Sequence, residues 1–275
     1  MRLRILGVPI DPLTIDEAVT RIVERAADPA SPPAYVLKPY VEFFGSRSTP
    51  EARSAIEGAW LCLADGVALQ WAAAYERRPR HRLPDLAASL LAIPRSPATL
   101  RAVIPERVAG VTFTLRLLGA CRERGLRVFL VGSPRHRPIG HTARHLAASL
   151  PGLRVVGTAP GDAGEAAETA LVRSLVRQRP DVVLVGMGFP LQEGLMARTV
   201  RRIDHGVLVG EGGSFDYREL GGEVRRAPRT VRHLGLEWLW RLGREPWRLR
   251  RQMAIPEYVV RVHREARHLE RRTPR

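Results

Sequence analysis

The chain has 275 residues, enough for one large domain or two small ones, with 45% hydrophobic residues, and it carries 44 Lys and Arg against 28 Asp and Glu, a formal charge of +16 and a pI near 11.3. That charge selects for polyanionic partners: nucleic acid, acidic lipid or a phosphorylated substrate. Cys62 and Cys121 have no partner spacing for a disulfide framework or a zinc site, and no stretch approaches the ~20 apolar residues of a bilayer span. A reducing cytoplasm is the expected compartment.

The N-terminus, Arg2–Val8, reads as a strand, since an acid arrives before any long apolar run that would suggest a signal peptide. A helix over Thr14–Ala27, with Thr14 or Asp16 at its cap, leads to a strand at Ala34–Leu37 and a helix over Val41–Gly58. A strand at Trp60–Ala64 ends in Asp65-Gly66, and a helix over Val67–Glu76 starts at once. Residues 77–105 break the rhythm: five prolines bracket a small apolar helix, Leu86–Ile93, with basic residues on both sides. That stretch reads as an insertion, a lid or a surface attachment. Helices over Phe113–Arg124, His141–Leu150, Ala163–Gln178 and Leu191–Val200 then alternate with strands at Arg127–Val131, Leu153–Gly157, Val182–Gly186 and Gly206–Val209.

Such alternation predicts an α/β chain with a parallel sheet covered on both faces, and ligands bind such sheets beyond the carboxyl ends of their strands. Asp65-Gly66, Gly132-Ser133-Pro134, Gly186–Glu193 and Gly210–Asp216 all fall there. Asp65 is the best candidate for a general base, the alternative being a cap for the helix that follows. In the turn at 186–193, Gly188 lets backbone approach a ligand, and free N–H groups at the helix start favour a phosphate; Leu191 stands where a dinucleotide fingerprint would have its third glycine. Gln192 and Glu193 are placed to read sugar or base hydroxyls. Gly132 opens a turn that suits either a phosphate or ribose contact or simply a tight turn with Pro134. Gly213 and Asp216 belong to a glycine-rich segment that either wraps a ligand, with Asp216 holding a hydroxyl, or simply leads into the tail. No Asp-x-Asp pair for a sugar diphosphate's Mg²⁺ and no nucleophile elbow is present.

From Arg225 to Arg275 fifteen Arg face five Glu and no Asp, with Trp238, Trp240 and Trp247 and several leucines between them. A segment of that kind suits an anionic, partly apolar surface.

Together, Ala64-Asp65-Gly66, Glu106–Gly110, Val128–Gly132, Pro180–Glu193, Gly210–Tyr217, Arg226-Ala-Pro228 and Gly235–Arg248 resemble the WecG/TagA/CpsF family of glycosyltransferases. The resemblance covers about 1–76 and 106–260. It implies a Rossmann-like fold over 1–225 (with the insertion 77–105), and a helical, basic C-terminal appendage over 226–275 that brings arginines to the site and docks on the membrane. It also implies an inverting enzyme needing no metal or other cofactor. The sugar, N-acetylmannosamine-like, would pass from a UDP-sugar to a polyprenyl-diphosphate-linked acceptor in cell-envelope or exopolysaccharide synthesis, at the inner face of the plasma membrane. By that carry-over Asp65 is the base, beside Gly66. Arg107 sits near the donor or its phosphates, the 186–193 turn and Asp216 hold UDP, and Arg241, Arg248 and Arg251 match the appendage's arginines. Lys38-Pro39-Tyr40 replaces the family's Thr-x-Asn, and Thr112 stands where Asp is usual, so Lys38, Tyr40 and Thr112 bear on the identity of the sugar. Lys38, the single lysine, is read as a partner for a carboxylate or phosphate on an unusual donor. The resemblance is compatible with a homo-oligomer. Two other readings are a catalytically idle relative acting as a scaffold, and a basic nucleic-acid-binding protein. The concentration of charge in one Trp- and Leu-rich tail argues against nucleic acid as a partner.

Overall fold

The computed structural model describes residues 2–45, 48–132, 138–162, 164–234, 237–244 and 253–272. The expected first strand is a hairpin, β1 (Leu3–Ile5) against β2 (Val8–Ile10), because the chain reverses at Leu6-Gly7 with both residues at positive φ. Leucine rarely adopts that conformation, so no turn signal stands in the sequence. Helix α1 (Ile15–Ala27) begins at a capping box, Thr14 taking the N–H of Glu17 and Glu17 reaching back to Thr14.

Strand β3 (Ala34–Leu37) is followed by a 3-10 turn, Val41–Phe44, and helix α2 (Pro50–Glu57) rather than one long helix. The break falls where Thr49 caps α2 and Pro50 occupies its first turn. Next come β4 (Leu61–Cys62) and α3 (Val67–Glu76). The proline-rich stretch holds α4 (Leu83–Arg95) and the short α5 (Pro97–Leu100). After them run α6 (Gly110–Glu123), β5 (Arg127–Gly132), α7 (Ile139–Ser149), β6 (Arg154–Pro160), α8 (Glu165–Gln178), β7 (Val182–Gly186), α9 (Leu191–Thr199) and β8 (Val207–Gly210). Helices α10 (Arg229–His233), α11 (Glu237–Arg244) and α12 (Ala254–Arg272) complete the described chain.

Six strands form one parallel sheet in the order β4-β3-β8-β7-β5-β6. Its central strands are apolar on both faces, as a doubly covered sheet requires. Phe129, Val131, Val183, Val185 and Leu208 face one layer, with α2, α3, α8, α9 and α12; Val128, Leu130, Val182, Leu184, Val207 and Val209 face the other, with α1, α6 and α7. The expected Rossmann-like architecture is therefore the observed one. The final helix joins the first layer: Tyr258, Val262, His263 and Ala266 are buried, and Tyr258 packs on Trp71 and Phe44. Its basic residues thus cover a wedge of core.

Candidate active site

The carboxyl ends of β4, β3, β8 and β7 lie side by side along one edge of the sheet, where such folds open a cleft. Backbone hydrogen bonds fix its rim: Asp65 donates to the Pro39 carbonyl at 3.0 Å and Val108 to the Ala64 carbonyl at 2.8 Å, so the Lys38–Tyr40 turn, the Asp65 turn and the Arg107 loop adjoin. Asp65 does not cap α3. Gly66, at φ +91, is the N-cap residue, a conformation that lifts the preceding carboxylate out of the helix line. Among the described residues that carboxylate has no hydrogen-bond partner. Withdrawal from water pushes its pKa up to about 6, with Lys38 and Arg107 opposing the shift and Glu237 and Glu211 adding to it.

Beneath Asp65 lies a buried polar floor. Lys38 Nζ is 2.6 Å from Glu211 Oε2, with side-chain exposures of 4% and 0%. Thr114 Oγ1 stands 2.5 Å from the same oxygen, and Lys38 lies over the Phe113 ring. The anionic partner foreseen for Lys38 in a donor is thus met within the protein by Glu211. A side chain at Gly110 would collide with Ser214 Oγ, which closes the floor on that side.

Gln192 and Glu193 are also interior. Gln192 Oε1 takes the N–H of Gly188 (3.2 Å) and Gly212 (2.9 Å), which ties the two glycine turns together, and its amide donates to Glu193 Oε1 at 2.8 Å. Glu193 is fully buried, and desolvation raises its pKa to about 7. Gly188 has φ +79, whereas Gly132 and Gly186 have a packing reason: a methyl there would strike Ile139 and the Phe215 ring. Pro190 precedes α9 as its cap residue. Gly213 and Asp216 sit in the 3-10 turn after β8, half-buried, and Tyr40 donates its hydroxyl to Glu42.

The rim opposite Asp65 is cationic. Arg107 donates to the Arg232 carbonyl, Arg226 Nη2 to Thr112 Oγ1 at 3.0 Å, and Arg232 Nε to the Ala227 carbonyl at 3.0 Å. Thr112 is therefore a positioning contact for an arginine. Arg226 Nε is buried with no partner among the described residues. Desolvation lowers the pKa of both Arg107 and Arg226; Arg232 adds to that, and Glu237 opposes it. Three guanidinium groups thus gather beside Glu237, with Asp65 acting on Arg107 and Glu219 on Arg226. Glu237 opens α11 and acts on Asp65, so the start of that helix lies near the mouth, while the Arg241 side chain lies outside those described. Arg248 and Arg251 lie outside the described residues.

Glu211, Thr114, Arg226, Arg232 and Glu237 are the residues that sequence reasoning missed. Arg226 was within reach, in the Arg-Ala-Pro block. Glu211 stands between glycines that drew attention to backbone alone; an acid there, and one lysine in the whole chain, are the two ends of the buried pair. Among the described residues no group of three His, Cys, Asp or Glu side chains is arranged to hold a metal ion, and no helix is long and apolar enough to cross a membrane.

The fold is of the doubly wound α/β class, with an acid at the carboxyl edge of its sheet within electrostatic reach of an arginine. Comparison with known proteins narrows it. The model of the glycosyl transferase WecG/TagA/CpsF family matches residues 3–101 and 95–272, and the chain belongs to that family. It is 32% identical over 162 residues to a Bacillus subtilis (strain 168) protein named N-acetylglucosaminyldiphosphoundecaprenol N-acetyl-beta-D-mannosaminyltransferase, a match covering 59% of this chain and 61% of that protein. A Bacillus spizizenii protein of the same name is 33% identical over 159 residues, 58% of this chain and 60% of its own. The matched region thus spans about three-fifths of each relative.

Proposed function

We propose that this chain is an inverting glycosyltransferase that moves an N-acetylmannosamine-like sugar from a UDP-sugar to a polyprenyl-diphosphate-linked acceptor, acting peripherally at the inner face of the plasma membrane. The observation that carries this reading is that Asp65, unpaired among the described residues, lies within electrostatic reach of Arg107, which donates to the Arg232 carbonyl and shares Arg232 and Glu237 as neighbours with Arg226. The names of the Bacillus relatives support the sugar and the acceptor class.

At pH 7 a carboxyl group of pKa about 6 is mostly ionised, yet basic enough to accept a proton in the transition state. Asp65 takes the proton of the acceptor hydroxyl as that oxygen bonds to the anomeric carbon. The bond from that carbon to the UDP oxygen breaks, and the electron pair leaves with UDP. Charge grows on the diphosphate, and pre-organised guanidinium groups stabilise it where other sugar transferases use a divalent cation. A rim fixed by Thr112 and the Ala227 and Arg232 carbonyls needs little reorganisation to do so. Gln192 serves by holding the glycine turns in register, and Lys38 with Glu211 sets the field under the base.

The test is transfer from a panel of UDP-sugars to an N-acetylglucosaminyl-diphosphate-polyprenyl acceptor, with EDTA present and the product read by mass. A product one N-acetylhexosamine heavier, formed by the wild type and not by Asp65→Asn, is expected. Transfer that persists in Asp65→Asn removes the base from this account, and transfer abolished by EDTA removes its metal independence.

A further inference from the structure

Helix α4 is apolar nearly all round, with Leu83, Leu86, Leu90, Leu91 and Ile93 and a single acid, Asp85. A helix of that composition belongs inside something, yet only one side is covered. Leu86, Leu90 and Ile93 pack toward the core, and Trp71 Nε1 donates to Ser89 Oγ at 3.0 Å. The opposite face, Leu83, Pro84, Ala87, Ala88, Leu91 and Pro94, is open to solvent, with Leu83 71% and Leu91 59% exposed.

The covered side is locked. Arg78 donates to the Asp85 carbonyl, Asp85 accepts from the Arg82 N–H, and His81, just ahead of the helix, is held by Glu270 of α12 and by the Tyr75 carbonyl. Rotation cannot bury the open face without undoing these contacts, so its cover comes from outside the described chain.

Charge says what that cover is. Arg77, Arg80, Arg82, Arg95 and Arg101 are exposed around α4, against Asp85 and the Glu270 that holds His81. A second copy of a +16 chain, meeting face to face, would bring two such rims together and repel. An anionic bilayer satisfies both demands, because apolar side chains enter the acyl boundary while flanking arginines meet phosphate headgroups. Position agrees: Arg101, beyond the end of α5, lies within electrostatic reach of Arg107 at the cleft.

We propose that α4 is a lipid-docking helix whose exposed Leu83–Leu91 face enters an anionic membrane surface beside the cleft. The inference rests on the reading of a lipid-linked acceptor, and it assigns the contact to the body of the enzyme as well as to its tail.

The experiment is co-sedimentation of the full chain with phosphatidylcholine vesicles, with and without phosphatidylglycerol, for the wild type and for Leu83→Gln/Leu91→Gln. In parallel, an environment-sensitive fluorophore is placed at Leu91→Cys or at the control Val176→Cys on α8; the native cysteines are fully buried. The wild type is expected to bind phosphatidylglycerol vesicles, the double variant about tenfold more weakly or worse, and only the label at position 91 to blue-shift. Equal binding by both proteins, or no response at position 91 while the protein sediments, overturns the role of α4 and leaves the membrane reading standing. Absence of wild-type binding sinks both. A dimer in vesicle-free buffer that Leu83→Gln/Leu91→Gln dissociates identifies a second copy as the occupant and overturns the proposal.

Discussion

The floor and the rim of the cleft are built on opposite principles. In the floor most polar groups have a partner: Lys38 lies on Glu211, Thr114 stands against the same carboxylate, and Gln192 is spent on Gly188, Gly212 and Glu193, while Glu211 Oε1 and Glu193 Oε2 are buried with no partner among the described residues. Along the rim, Arg107, Arg226 and Arg232 crowd together near Glu237, and their side-chain hydrogen bonds among the described residues go to neutral carbonyl and hydroxyl oxygens. A buried, largely paired floor holds shape and sets the field; a rim rich in guanidinium groups suits an anion. Asp65 stands where the two meet and is coupled to both, to Lys38 and Glu211 below and to Arg107 and Glu237 beside it.

Substitutions should therefore separate activity from stability according to layer. The largest effect is expected of Asp65→Asn, which should lower kcat by about 10²–10⁴-fold, the range for loss of a general base. The same variant should be more stable than the wild type at neutral pH. Because the folded pKa is raised to about 6 above the ordinary carboxylate value, the folded state holds the proton more tightly, and native stability falls as pH rises from about 4 through 6. The gain from Asp65→Asn, read by thermal melts, should thus be full above pH 6 and fade toward pH 4. A variant that loses both activity and stability would make Asp65 a structural residue.

In the floor, Glu211→Gln strands a buried ammonium. Removing one partner of such a pair costs about 3–5 kcal/mol, whereas Lys38→Met/Glu211→Gln should recover most of that loss. Urea unfolding of the three proteins measures it, and a cost under about 1 kcal/mol for the single variant would mean that the pair is wet. On the rim the outcome should invert. Arg226→Ala is expected to weaken UDP-sugar binding by about 10–100-fold, the worth of a charge-assisted contact, while the melting temperature holds or rises because a crowded cation has gone. The smallest effect is electrostatic. With Lys38→Met the acidic limb of kcat/KM should move upward from about 6 by less than about one unit, since loss of a nearby cation disfavours the carboxylate. A downward move would place Lys38 outside the field of the base.

Much of this was readable in the chain. Alternating apolar runs specified a parallel sheet because strands buried on both faces leave an unbroken signature, as Val128–Val131 and Val182–Val185 do. Asp65 could be found because an acid at the end of a buried strand lies on the ligand edge of such a sheet. The hairpin at Leu6-Gly7 was not legible, since its turn uses a leucine at positive φ, whereas the break before Pro50 was signalled by Gly45 and Thr49-Pro50 and overlooked. The floor was hidden for another reason. Lys38 and Glu211 are 173 residues apart, and nothing local marks a polar residue whose partner is brought to it by strand order. Arg226 and Arg232 were lost among the fifteen arginines of the last fifty-one residues, where composition gives the field but not which guanidinium groups face the cleft. Packing of α12 against Trp71 was likewise obscured, because its arginines suggested a surface while Tyr258, Val262 and Ala266 carried the core stripe.

The claim on which the account turns is that guanidinium groups, rather than a metal ion, receive the donor's diphosphate. Calorimetric titration of UDP into the protein in EDTA, repeated with Arg226→Ala and at rising salt, tests it directly. The account predicts binding that needs no divalent cation, weakens with salt and falls at least about tenfold in Arg226→Ala. Binding that appears only when magnesium is added, or that is untouched by loss of Arg226, would contradict it.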